Sequence, residues 1–470
     1  MLDEKLLKPY DSKKVWKMCL TGSLGSFVFG YNNGVMNSTL DVVGWFHGWE
    51  DEETLIAVMT GIMPLGAMIS AVLAGPISNR IGIRKALMAS NLMTLVGAGV
   101  TIIPFAFAFG LGRFLSGLSV GMYATLVPLY INQTSPSAIM GKVGTLVQIQ
   151  ITLGTAVAYA LALVLPTGNY GSSSLAYWWV FMFWFQAPIA LFQFLVFYFV
   201  YKLETPAWFS NNSFREETLN SLRQVYRGES AQEAARELNG EYDQESTESS
   251  GSEHDPSYLD LLLFKKSTGK LMRLGYANHF FQQFSGINAI LTFSTTIFGH
   301  LGGGVFMSRV YTLILGVVNM TSTLALTFVV DKFGRKTLLT VGCLGMTCCL
   351  LFSAMLAGPL SNWSILFPVC FIFLYIVFFA TSTGPICWVY CGEIMSSKGM
   401  SICAGFNRLC NTVVIFTFPF LKAFWGISVV FWIYSGVCAL GVAYFALNMI
   451  ETKGLSKQEI QKLFTKKAIS

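Results

Sequence analysis

Within an apolar stretch near residues 271–298 the chain carries the string QQFSGIN, which sets Gln282, Gln283, Ser285 and Asn288 among neighbours that offer no hydrogen bonds. A carboxamide presents a donor and an acceptor together, so such a group can bridge vicinal hydroxyls without the desolvation cost of an ion. The competing role for these amides is glue between packed helices. Gln283 and Asn288 are five residues apart and point roughly 140° away from one another on an ideal helix. Both reach one ligand only if the helix breaks, and Ser285-Gly286 is the place for it.

The elements that position these amides follow from composition. Of 470 residues 53% are hydrophobic and only 12% charged, which excludes an ordinary soluble enzyme and fits a polytopic membrane protein. Apolar stretches long enough to span a bilayer fall near 15–36, 55–77, 86–108, 112–132, 143–165 and 178–201, then near 271–298, 308–330, 337–358, 365–391, 402–422 and 427–449. Lysines and arginines mark one side: Lys5 to Lys17 before span one, Arg80, Arg84 and Lys85 after span two, and Lys332, Arg335 and Lys336 after span eight. Both termini are therefore expected in the cytoplasm. Span one lacks the pattern of a cleaved signal peptide. Most of the ten cysteines fall inside spans as small packing residues, and neither they nor the four histidines show zinc spacing, so no metal or other cofactor is expected.

The chain divides six spans plus six. Residues 215–235 fit short amphipathic helices, and the acidic, serine-rich stretch 241–256 reads as disordered. GPISNRIGIRK at 75–85 and VVDKFGRKTL at 329–338 follow equivalent spans, as do Glu204-Thr205 and Glu451-Thr452, which points to internal duplication. The expected fold is an all-α membrane protein. Its cytoplasmic N-terminus is 1–14, its first six-helix bundle 15–203, its cytoplasmic linker 204–266, its second bundle 267–450 and its cytoplasmic tail 451–470.

Further motifs lie in order along the chain: FGYNNGVMN at 29–37, GRFLSG at 112–117, VPLYINQTSP at 127–136, GTLVQIQITLG at 144–154, QQFSGINA at 282–289, DKFGRKTL at 331–338, GPICW at 384–388 and ETKG at 451–454. Together they resemble the sugar porter family of the major facilitator superfamily, nearest to the facilitative glucose transporters. The resemblance implies the major facilitator fold of twelve transmembrane helices in two bundles, and sugar contacts at Gln148, Gln282, Gln283, Asn288, Asn319 and Trp388, with Asn411 a further candidate. Trp388 offers an apolar face and an indole donor. Asn319 and Asn411 could equally bond a neighbouring helix. Gly384-Pro385 should interrupt span ten as a gate, and Thr292 and Phe293 stand at the outer gate of span seven, where packing is the competing role.

Asn32 occupies the position where proton-coupled relatives carry aspartate, and Arg113 matches the arginine that pairs with that acid, so downhill uniport is expected. The family's cytoplasmic charge network maps to Arg80, Arg84, Glu204, Asp331, Arg335, Glu393 and Glu451, with Asn79 and Gln133 replacing carboxylates, and the weakened latch predicts a bias toward inward-facing states. Solvated loop charge is the plainer reading of these residues. Arg408 falls near a family tryptophan and would either face the cavity or snorkel. Asn37-Ser38-Thr39 is an N-glycosylation sequon on the expected outer side.

The expectation is facilitative transport of a hexose, glucose first and fructose or another monosaccharide next, by a lipid-embedded monomer of the plasma membrane with no nucleic-acid partner. A proton-coupled sugar or polyol symporter is the alternative, and so is a non-transporting sugar sensor. The short stretch after span twelve disfavours the sensor.

Overall fold

The computed structural model describes residues 10–49, 52–168, 170–236, 238–239, 269–357, 366–395 and 397–453. The acidic stretch 241–256, the last 17 positions and the side chain of Asp331 lie outside the described residues. Regular structure among the described residues is helical apart from an isolated bridge between Tyr10 and Tyr226. Span one is Ser12–His47, span two Glu53–Ile81, span three Ile83–Thr101, span four Ala106–Thr134 and span five Ser137–Leu161. Span six is built from Trp178–Trp184 and Gln186–Phe199.

In the second half, span seven consists of Gly269–Phe284 and Ile287–His300, span eight of Val305–Phe333 and span nine of Arg335–Leu356. Span ten is Leu366–Ala380 followed by Thr383–Ile394. Spans eleven and twelve are the two arms of Ser397–Asn448 on either side of Gly426, whose φ of 77° and ψ of 164° leave the helical region. Twelve spans thus account for the apolar segments. Since lipid is as apolar as the side chains, helices associate through close packing at small residues. A Cβ at Gly30 would fall 1.8 Å from the Ile151 carbonyl oxygen, joining spans one and five, and one at Gly117 would fall 2.2 Å from that of Met63, joining spans four and two.

The face that carries the termini is braced twice in the same way. Gly82 opens span three at φ 95°, and the carboxylate of Glu204 accepts from the Arg84 and Lys85 amides at 2.8 and 2.9 Å. Gly334 opens span nine at φ 79°, and Glu451 accepts from the Arg335 and Lys336 amides at 2.8 and 3.1 Å. A carboxylate at a helix N-terminus satisfies orphan amides and complements the helix dipole. In the linker, Pro206–Asn211 and Arg215–Leu222 lie under this face, with Trp208 Nε1 donating to the Asn79 carbonyl at 3.0 Å. Asp11 caps span one through the Lys13 and Lys14 amides, and the Asp11 amide donates to the Val225 carbonyl at 2.9 Å.

The two halves meet along span one against the second part of span seven, span two against span eleven, and span five against span eight. The largest buried apolar cluster crosses this seam and includes Tyr31, Tyr159, Trp179, Phe293 and Phe418.

Candidate functional site

Span seven breaks where glycine permits it. Gly286 stands at φ 88°, and Ser285 Oγ donates to the Gln282 carbonyl at 2.7 Å, closing the end of the first segment. The break brings Gln283 and Asn288 together: Asn288 Nδ2 donates to Gln283 Oε1. Span ten breaks as well, at Thr381-Ser382 rather than at Gly384-Pro385. Pro385 sits in the first turn of the new helix, where its missing N–H costs nothing because those amides have no intrahelical partner.

The Thr383 and Gly384 carbonyls, at the start of the second segment, fix the polarity of a relay of amides. Gln282 Nε2 donates to both, at 3.1 and 2.7 Å, so its Oε1 faces the other way as an acceptor. Asn407 Nδ2 donates to that oxygen at 2.7 Å. Asn407 Oδ1 therefore accepts from Gln283 Nε2 at 3.0 Å, and Gln283 Oε1 accepts from Asn288. The Asn288 carbonyl oxygen ends the relay with no protein hydrogen bond among the described residues, half-buried and available to a ligand hydroxyl. His279, fully buried, lies beneath Asn407 with Nδ1 at 3.0 Å from Asn407 Nδ2, and its ring meets the half-buried Trp388 edge-on at 4.8 Å.

Asn407 and His279 escaped the sequence reading. Asn407 is one helical turn before Asn411, and His279 lies three and four residues before the paired glutamines, so same-face spacing was the available signal. Gln148, Asn319 and Asn411 are not joined to the relay. Their side-chain amides make no hydrogen bond to protein among the described residues, and Asn411 Oδ1 is buried without a partner. Arg408 neither snorkels nor reaches the amides: its guanidinium stacks 5.0 Å above the Phe29 ring in the other half.

In the first half, Arg113 is buried and donates to Asn32 Oδ1 at 3.2 Å and to Met63 Sδ at 2.9 Å, over the Phe183 ring. Asn32 Nδ2 donates in turn to Gln186 Oε1 and to the Val28 carbonyl. No carboxylate pairs with Arg113 among the described residues.

Polar contacts between the halves gather at the face opposite the termini. Span seven kinks at Phe293, with φ −121° and ψ 18°, and Phe293 stacks on Phe418 at 4.8 Å, with Thr292 buried beside it. At this kink the Leu291 carbonyl accepts from Tyr159 Oη at 2.7 Å and from Asn37 Nδ2 at 3.0 Å, while Asn37 Oδ1 accepts from the Thr295 amide at 3.1 Å. Asn37 Nδ2 also donates to Ser294 Oγ at 2.6 Å. The sequon reading is thus corrected. Span one runs on to His47, well past the apolar segment, so Asn37 is a buried helical residue and offers no acceptor for a glycan. Farther out, Arg309 donates to the Leu165 and Pro166 carbonyls at 2.6 and 3.0 Å, and Lys422 pairs with Glu53 at 3.2 Å. A cavity of about 270 Å³ lies between these contacts, lined by Leu40, Asp41, Glu53, Phe293, Phe418 and Lys422.

On the face carrying the termini the ion pairs among the described residues stay within each half. Arg84 pairs with Glu204 at 3.6 Å, and Arg335 with Glu393 at 2.9 Å. Arg80 is exposed, and Gln133 Oε1 accepts from Thr205 Oγ1 at 2.7 Å.

A family profile described as "Sugar (and other) transporter" matches residues 18–464. The chain is 28% identical over 446 residues to the probable plastidic glucose transporter 1 of Arabidopsis thaliana, covering 93% of this chain and 82% of the relative. It is 28% identical over 507 aligned positions to the solute carrier family 2, facilitated glucose transporter member 2 of Sus scrofa, covering 96% and 93%. It is 27% identical over 497 to the D-xylose-proton symporter of Escherichia coli strain K12, covering 97% and 96%. Among solved structures, the inward open conformation of the xylose transporter XylE from E. coli superposes with a TM-score of 0.80 at 24% identity, over 96% of this chain and 99% of that one. The fold is that of the major facilitators. With the profile spanning nearly its whole length, this multi-pass membrane protein belongs to the sugar (and other) transporter family, whose members carry solutes across membranes rather than transform them.

Proposed function

We propose that the protein is a uniporter that carries a hexose, glucose first among candidates, down its gradient by alternating access. The observation that carries this reading is the relay of amides ending on the Asn288 oxygen, a neutral array of fixed polarity suited to hydroxyls. Gln148, Asn319 and Asn411 have amides with no protein partner among the described residues, available to the same ligand, and Trp388 supplies the apolar face. The named substrates of the relatives, glucose and D-xylose, agree with this chemistry.

Uniport is supported by Asn32, which answers Arg113 with a group that takes up no proton at physiological pH. The termini are assigned to the cytoplasm from the basic loops, and the membrane to the plasma membrane. On that assignment the joined face is the outer one and the state is inward-facing. Thr292, Phe293 and the Asn37 contacts then form the outer gate, and the break of span ten at Thr381-Ser382, just before Gly384-Pro385, a gate at the sugar.

The test is counterflow of labelled hexoses in liposomes holding the purified chain, with and without an imposed pH gradient. Saturable exchange that ignores the gradient is expected. Gradient-driven accumulation would make the protein a proton symporter, and binding without flux would make it a sensor.

A further inference from the structure

His279 is buried in the second half, outside the set of amides that a ligand would touch, and it faces their relay at Asn407. The relay starts from two backbone carbonyls that can only accept, Thr383 and Gly384. Each amide after them is oriented by the one before, so the group at Asn407 that faces both Gln282 Oε1 and His279 Nδ1 is the NH₂. Its two hydrogens serve those two acceptors. His279 Nδ1 must then be unprotonated, which leaves the proton of the neutral ring on Nε2, an atom buried without a protein partner.

Protonation reverses one member of this chain. An N–H on Nδ1 would oppose the Asn407 NH₂ at 3.0 Å and leave only the weak acceptor Cys387 Sγ at 3.1 Å, whereas turning the Asn407 amide over offers it the stronger carbonyl oxygen. Turning it presents oxygen to Gln282 Oε1 and NH₂ to Gln283 Nε2, so both bonds to the ligand-facing glutamines are lost together. The titratable groups set against the imidazole are the thiols of Cys387, whose Sγ lies 3.1 Å from Nδ1, and Cys391, both on the second segment of span ten. From span eleven it meets Asn407, while Arg408 is turned away onto Phe29. On its own helix Asn278 donates to the Cys387 carbonyl at 3.1 Å and to Cys391 Sγ at 3.5 Å.

We propose that His279 is a positioning residue whose neutral Nδ1 sustains the amide polarity that the Thr383 and Gly384 carbonyls set, so that hexose affinity is full when the ring is neutral and falls when it is protonated. The proposal rests on the hexose reading of the site. It is distinct from proton coupling, because a proton here weakens binding from either side and drives nothing uphill.

The experiment measures half-saturation for hexose counterflow in liposomes with the same pH on both faces, from about 5.5 to about 8. Wild type should lose on the order of tenfold in affinity toward acid, as expected for two bonds lost with partial compensation by water. His279→Gln, whose amide cannot titrate, should give the same half-saturation at both ends of the range, whatever its level. A flat wild-type profile, or an acid limb that persists in H279Q, would overturn the proposal, and His279→Asn takes its place if H279Q does not fold. ¹⁵N-histidine NMR of the wild type, with four histidines in the chain, should show one ring in the Nε2–H tautomer that titrates at the midpoint of the affinity change. No ring doing so would equally overturn the proposal. Saturable counterflow at alkaline pH tests the hexose reading by itself: its absence removes that reading, and the affinity claim with it, regardless of how His279 titrates.

Discussion

Asn37→Val should loosen the joined face. The side chain makes three hydrogen bonds to the other half, to the Leu291 carbonyl, Ser294 Oγ and the Thr295 amide, at 3.0, 2.6 and 3.1 Å. Each neutral bond contributes about 1 kcal/mol net. Valine fills a similar volume without replacing any of them. The Leu291 carbonyl keeps Tyr159, so the groups stranded in the closed state are Ser294 Oγ and the Thr295 amide. When this face opens, water reaches those groups in both proteins, and the cost falls on the closed state alone. A loss of about 2 to 3 kcal/mol corresponds to a shift of roughly thirty- to 150-fold toward the open face. Spin labels at positions 107 and 424, both strongly exposed and one in each half, would report the separation by pulsed electron resonance. Cys348 and Cys370, the exposed native thiols, would first be replaced by serine. Wild type should give a short separation, and the variant a prominent long one. An unchanged distribution in Asn37→Val would refute the reasoning, and an electrophoretic shift of the wild type on enzymatic deglycosylation that is lost in this variant would restore the sequon.

The Lys422–Glu53 pair is partly solvated, its side chains 16% and 34% exposed, so Glu53→Gln should shift the same equilibrium only about fivefold or less. The effect should shrink in high salt and reverse when Glu53→Lys is combined with Lys422→Glu, both read by the same spin labels. Gly286→Ala forces a left-handed φ on a residue whose Cβ would fall 2.2 Å from the Tyr434 ring. We expect a lower melting temperature in detergent and loss of saturable exchange, and a variant that transports normally would remove the break from the mechanism. Asn32→Asp gives Arg113 a carboxylate within reach and should make hexose uptake depend on outside pH, whereas a profile identical to wild type would deny these two residues any part in coupling.

The fold was legible because lipid leaves few options: long apolar segments become helices, and basic loops mark one face. The break at Gly286 was legible for the same kind of reason, since two amides five residues apart meet only across a kink. Asn407 and His279 were hidden because their importance is relational. Each looks like a lone polar residue until Gln282 is seen to be anchored by the Thr383 and Gly384 carbonyls of span ten. Asn37 was misread because a local sequence rule was applied without knowing that span one continues eleven residues beyond its apolar segment, to His47. The string offers candidates for the charge network, among them Arg84, Glu204, Arg335 and Glu393, but which half each partner belongs to is a property of packing that it does not display.

That last point gives the two glutamate braces an unexpected standing. Glu204 ties the exit of span six to the start of span three, and Glu451 ties the exit of span twelve to the start of span nine. Both ends of each brace ride on the same half, so its free energy is equal whichever way the halves tilt and cancels from the balance between them. The braces make each half stiff enough to move as a body, and a lesion there should cost folding yield while leaving the tilt where it was.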